Sequence, residues 1–161
     1  TEITGGFILS CIQLQSMSLE RSVELDSDEI DTLLGDGGVG VISFAEDDEP
    51  YSIPVSYGYD ADADGLYVRL AFAPESEKRR FVDDGETASL VVTDETPAGW
   101  QSVVAKGPLC EVTEMAIDPE AAKSVHKVRI PFVTIYDREA SELEFELYRL
   151  EAETITGRSE A

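Results

Sequence analysis

Pro50-Tyr-Ser-Ile-Pro-Val-Ser-Tyr-Gly-Tyr-Asp60 alternates along its whole length. Tyr51, Ile53, Val55, Tyr57 and Tyr59 fall on one side, and Ser52, Pro54, Ser56 and Gly58 on the other. Period two is the signature of a β-strand, here with one large apolar face and one small face. A small face lets a flat ligand approach the backbone closely, though an ordinary half-buried strand has the same pattern. Pro54 has no N–H to give a ladder, so the strand is expected to be interrupted, or at a sheet edge, at that point.

The flanking sequence supplies partners for this strand. Asp60-Ala-Asp-Ala-Asp-Gly65 is a tight polar turn, so residues 66–72 are expected to return as an antiparallel strand. On the other side, the β-branched run 39–44 reads as a strand and 45–49 as an acidic turn. Further upstream, Asp26 or Ser27 can cap a helix whose apolar stripe is Ile30, Leu33 and Leu34. Gly35 and Gly37-Gly38 end it. Downstream, 77–84 reads as a short helix, 88–93 as a strand, and 101–106 and 109–112 as a strand broken at Gly107-Pro108. A helix is expected at 120–128 after Pro119, then an apolar segment 130–135 and a last strand within 143–156. Strands joined by short turns, with only small helices between them, define a mainly β (α+β) fold. The expected architecture is a closed or nearly closed barrel of six or more antiparallel strands.

One domain accounts for 161 residues. Residues 1–16 carry one charge and no clear period, whereas Met17 opens a charged amphipathic stretch. We read 1–16 as an N-terminal extension and 17–161 as the folded domain. Asp and Glu total 34 against 12 Lys and Arg, a net charge of −22. A field of that sign repels nucleic acid and anionic membrane. The acids are spread along the chain, which reads as adaptation to a salty cytoplasm. Repulsion among them is relieved by screening. Stability is therefore expected to rise with ionic strength, and an unfolding midpoint unchanged between low and molar salt would contradict this. No apolar run is long enough to span a membrane. The two cysteines, Cys11 and Cys110, and the single His126 have no metal-ligand spacing, so no metal site is expected.

The residues with chemical potential are concentrated in the middle of the chain. Arg69 is followed by the adjacent trio Lys78, Arg79 and Arg80. Three neighbouring cations in so acidic a chain can hold a phosphate, or can pair with Glu75, Glu77, Asp83 and Asp84 nearby. Gln101 and Ser102 can bond the rim of a heterocycle or simply mark an exposed strand end. Trp100 suits a stacking surface or a core position. No catalytic base is evident.

The order of these motifs resembles the pyridoxamine 5′-phosphate oxidase-like family of FMN-binding split barrels. The likeness runs from Leu33-Leu34 through Pro50-Tyr-Ser-Ile-Pro-Val-Ser-Tyr57, Gly65-Leu-Tyr-Val-Arg69, Glu77-Lys78 and Ala88-Ser-Leu90. It continues through Trp100-Gln-Ser-Val-Val-Ala-Lys-Gly107 to Leu147-Tyr-Arg-Leu-Glu151 and Ile155-Thr-Gly-Arg158. The resemblance implies a split β-barrel that binds FMN and transfers hydride through it. Pro54, Val55 and Ser56 would lie along the flavin ring, and Arg69 and Leu70 beneath the ring and ribityl chain. Lys78, helped by Arg79 or Arg80, would hold the phosphate, and Gln101 and Ser102 would meet the ring's polar rim. It further implies a cytoplasmic homodimer with the flavin between subunits, acting on a small redox substrate. Trp100, His126 and Arg129 are candidates for contacts from the partner. Glu77 stands where the true oxidases have an arginine, and their C-terminal Arg/His pair is missing, so flavin binding is implied rather than pyridoxamine oxidation. A related barrel using the deazaflavin F420, and a flavin-binding module without catalysis, share the same pattern.

Overall fold

The computed structural model describes residues 22–83, 85–113, 119, 130 and 140–160. Residues 1–16, the expected helix 120–128, the segment 131–135, and with them His126 and Arg129, lie outside the described residues. The strands are β1 (Ser22–Glu24), β2 (Gly37–Glu46), β3 (Glu49–Asp60), β4 (Gly65–Phe72), β5 (Thr87–Thr96), β6 (Gly99–Glu111), β7 (Glu144–Leu150) and β8 (Thr154–Glu160). Helix α1 is Ser27–Leu34 and α2 is Lys78–Phe81.

All eight strands form one antiparallel sheet in the order β1-β8-β6-β5-β2-β3-β4-β7. Its ends meet because β6 changes partner along its length. Residues 101–106 pair with β8, and Leu109, Cys110 and Glu111 pair with β7. The ring β6-β5-β2-β3-β4-β7 is thus a closed six-stranded barrel, split where β6 passes from β8 to β7. Gly107 is the point of passage. A Cβ there would lie 2.0 Å from the Glu151 carbonyl oxygen, so only glycine lets the β7–β8 connection cross. Two sequence expectations are corrected here. Gly107-Pro108 does not break the strand, because the backbone runs straight through while its partner changes. The last strand is two strands, separated at 151–153 by the same crossing.

The alternation of β3 sets inside and outside. Val55, Tyr57 and Tyr59 point into a core that also contains Ile42, Phe44, Leu66, Val68, Leu70, Leu90, Val103, Leu109, Tyr148 and Leu150. Fully burying each such side chain contributes about 1.5–3 kcal/mol. The helices sit at opposite ends of β3. Asp26 caps α1 in a reciprocal capping box with Glu29, both bonds at 2.9 Å. At that end Tyr57 donates to the Leu34 carbonyl (3.0 Å) and Tyr59 to the Asp31 carboxylate (2.7 Å). At the other end Phe81 of α2 stacks on Tyr51, ring centroids 4.7 Å apart.

Candidate functional site

Strands β3 and β4 stay paired only from Ser56↔Arg69 to Asp60↔Gly65. Continuing that register would set Pro54 opposite Ala71. Proline has no N–H to offer, and the ladder stops there. The Ala71 carbonyl instead accepts a hydrogen bond from the Lys78 ammonium at 2.5 Å. Lys78 is 4% exposed, an unusual position for a lysine unless its charge is satisfied. The edge foreseen at Pro54 is therefore a gap in the barrel wall. Pro54, Ser56, Arg69 and Lys78, four of the residues expected to bind a cofactor, converge on it.

The other expected residues are distributed differently. Val55 and Leu70 point into the core at 5% and 1% exposure, so only their backbones face outward neighbours. Arg79 is held by Glu146 (2.7 Å) and Glu144 (2.9 Å) of β7. Arg80 reaches the other way, to Glu49 and Glu46 of the β2–β3 hairpin, with Glu77 further off. Ion pairing of the arginines was foreseen, but apart from Glu77 their partners are remote in sequence. The two arginines tie α2 across the gap, from β7 to the hairpin. Glu146 is partly buried, which opposes its ionisation. The Tyr148 hydroxyl and the Arg79 guanidinium outweigh this and hold its carboxyl below the usual range. Ser102 lies on the outer face of β6, four strand steps from Arg69, or about 19 Å along the sheet. Gln101, its chain neighbour, points to the opposite face. Trp100 is 52% exposed at the β5–β6 hairpin and is not part of the core.

A larger pattern emerges on the outer face, where three rows of side chains cross the sheet in register. The middle row is Pro54–Val41–Val91–Val104–Thr156. One flanking row is Ser52–Ser43–Ser89–Lys106–Thr154. The other holds Arg69, Ser56 and Val39 at one end and Thr93, Ser102 and Arg158 at the other. None of these positions carries a carboxylate, in a chain where 34 of 161 residues do. Acids return at the rim, where Glu24 of β1 stands opposite Arg158, and where Glu95 and Glu160 lie two residues beyond Thr93 and Arg158 on the same face. Val39, Val41 and Val104 are 49%, 42% and 37% exposed. Among the described residues, Arg69, Lys106 and Arg158 form no ion pair, in contrast to Arg79 and Arg80. The sequence reading missed Val39, Val41, Val91, Val104, Ser43, Ser89 and Lys106. The available signal was the absence of acids at alternate positions of five strands.

A barrel that closes through one strand shared between two neighbours, with a gap beside a proline-bearing strand, defines a split barrel. Residues 26–159 match the family described as pyridoxamine 5′-phosphate oxidase, and the chain belongs to that family. Among solved structures, it resembles an FAD-binding protein from Mesorhizobium loti at 19% identity and a TM-score of 0.62, covering 87% of this chain and 97% of that one. An FAD-binding protein from Mycobacterium smegmatis matches at 16% identity and 0.61, covering 86% and 99%. A conserved protein of unknown function from Corynebacterium diphtheriae matches at 20% identity and 0.60, covering 88% and 99%. These likenesses establish the fold. No curated protein matches the chain. Among the described residues there is no cluster of three or more potential metal ligands and no helix long and apolar enough to cross a membrane.

Proposed function

We propose that the chain is a flavin-dependent oxidoreductase that binds FMN against the acid-free outer face, between two copies of itself. The observation that carries this reading is the face itself. Asp and Glu make up 34 of the 161 residues, yet three adjacent rows of exposed or partly exposed positions carry none and set an apolar floor between two rows of hydroxyls and cations. A planar heterocycle with polar edges is chemically matched to that surface, and a phosphate is matched to the Lys78–Arg69 side of it. The residues present fit the group. Pro54 and Ser56 border the gap, Arg69 is exposed beside Ser56 and without an ion pair among the described residues, and Lys78 brings its ammonium to the Ala71 carbonyl at the same gap.

When bound, the flavin supplies the two-electron chemistry. The chain's own part is to hold and orient it. Lys78 and Arg69 bind the phosphate, Ser56 and Ser102 bond polar edges, and the valine row excludes water. Val39, Val41 and Val104 together expose apolar surface that a second copy on the same face would cover, and this exposure supports the reading.

The test is an absorbance spectrum in molar salt followed by titration with FMN, FAD and F420. Saturable flavin binding supports the reading. Binding F420 alone keeps the fold and replaces the cofactor, and binding none of the three removes it. Bound flavin that no nicotinamide donor reduces would leave a non-enzymatic module. Lys78→Ala should weaken FMN by about 1.5–3 kcal/mol, the value of a hydrogen bond to a charged group, and leave riboflavin affinity unchanged because riboflavin has no phosphate. Equal losses for the two ligands would show that Lys78 acts through the barrel wall instead.

A further inference from the structure

Helix α2 is a single turn, Lys78–Phe81, too short to hold itself in place. Its four side chains reach different parts of the barrel. The Lys78 ammonium meets the Ala71 carbonyl of β4, and Phe81 stacks on Tyr51 of β3 with the rings 8° from parallel. Arg80 reaches Glu49 and Glu46, but its guanidinium rests on Phe81 of the same turn, 4.6 Å from the ring centroid. Arg79 has the most complete setting. Its guanidinium lies over the Phe72 ring of β4, 3.7 Å from the centroid, and donates to Glu146 and Glu144 of β7. Phe72↔Glu144 and Leu70↔Glu146 are direct partners across β4 and β7, so one ladder sets the ring and both carboxylates. Glu146 uses both oxygens. One accepts from Arg79 and the other from the Tyr148 hydroxyl at 2.5 Å. Its side chain is only 17% exposed. The Lys78 ammonium stands over the same Phe72 ring, 5.5 Å from the centroid. Two cations share one ring, and the carboxylates beside Arg79 offset the repulsion between them.

We propose that Arg79, held by Glu146 and Tyr148, is a positioning residue: it fixes α2 on the β4–β7 pair so that the Lys78 ammonium stays at the gap, and it is not itself a ligand of the bound anion. Exposed ion pairs usually contribute little, but this one is forked over two carboxylates, stacked on a ring, and tied to a mostly buried carboxylate that has a second donor. Both terminal nitrogens of Arg79 already face carboxylates. A phosphate brought to them would meet Glu144 and Glu146 at the same place. Without Arg79 or Glu146, α2 loses its hold on β7 and Lys78 moves off Ala71. The part this plays in cofactor binding rests on the proposed flavin reading, while the effect on Lys78 needs no ligand.

The test uses a difference of sign. Glu146→Gln removes a negative charge near the gap. If Arg79 were a phosphate ligand, that change would release it, and FMN would bind as tightly as before or more tightly. The positioning role predicts the reverse. FMN and riboflavin are titrated at fixed ionic strength into wild type, Arg79→Gln, Glu146→Gln, the pair of changes together, and Lys78→Ala with and without Glu146→Gln. Arg79→Gln and Glu146→Gln should each weaken FMN about tenfold, as for loss of one charge-assisted hydrogen bond, and keep riboflavin within about twofold. The pair should lose no more than either alone, and Glu146→Gln should add nothing to Lys78→Ala. In parallel, the ligand-free proteins are treated with acetic anhydride, and acetylation of Lys78 is compared with that of exposed Lys106 by peptide mass spectrometry. The ratio should rise several-fold in Arg79→Gln and Glu146→Gln. FMN binding unchanged or tightened by Glu146→Gln overturns the proposal, and so does an equal loss of FMN and riboflavin. If the protein takes no flavin, acetylation alone decides. A raised Lys78 reactivity then sustains the positioning role and removes the cofactor reading, and an unchanged reactivity overturns the positioning role as well.

Discussion

Gly107→Ala is expected to lower the unfolding free energy by about 3 kcal/mol or more, the upper range for overpacking with loss of backbone hydrogen bonds. The added Cβ would lie 2.0 Å from the Glu151 carbonyl oxygen, 2.9 Å from its carbonyl carbon and 3.0 Å from the Glu153 nitrogen. All three are backbone atoms, so no rotamer change relieves the overlap. The crossing chain is also fastened on either side. Glu153 N–H donates to the Lys106 carbonyl and Glu151 N–H to the Pro108 carbonyl, each at 2.9 Å. Moving the connection away breaks those bonds and pulls β7 and β8 from the strand they share. Gly85→Ala is the matched control. Gly85 has a positive φ, +82°, which Gly107 does not, and nothing lies within 4 Å of its Cβ position. Its cost should stay near 1 kcal/mol, from backbone strain alone. Urea unfolding at constant salt measures both. Equal midpoints for the two variants would contradict the split at Gly107.

Val41→Glu is expected to abolish cofactor binding while leaving the fold intact. Val41 is 42% exposed, so its removal opens no cavity, and a surface change of this kind costs within about 0.5–1 kcal/mol. Its neighbours Pro54 and Val91 place it in the centre of the apolar row. If that row is covered by a flavin and a second copy, the new carboxylate is buried without a partner, at an effective cost of several kcal/mol. A cost of about 3 kcal/mol is already more than a hundredfold in affinity.

The strand pattern was legible because it is local. Alternation in 50–60, the turn at 60–65 and the Asp26 cap each depend on a few neighbouring residues, and each was found where expected. The partner change of β6 was not legible. It depends on residues 101–111 meeting two segments forty to sixty positions further along, and Gly107-Pro108 looks locally like a break. The candidate site divides in the same way. Pro54 and Arg69 could be named from their strands, and Lys78 from its motif. The meaning of Lys78 lay in Ala71, whose carbonyl it meets where the ladder between β3 and β4 has ended beside Pro54. Arg79 and Arg80 were read together with Lys78, yet their carboxylate partners on β7 and the β2–β3 hairpin make them ties rather than open cations. The acid-free face was invisible for another reason. It is a property of five strands in register, and no single stretch shows that acids are missing.

The most direct test is FMN titration of wild type, Val41→Glu and Val23→Glu in molar salt. Val23 is 52% exposed on β1, outside the three rows, so the same chemical change is made off the face. The account predicts saturable binding by wild type and Val23→Glu, and at least a hundredfold loss in Val41→Glu. Undiminished binding by Val41→Glu would show that the flavin does not lie on this face.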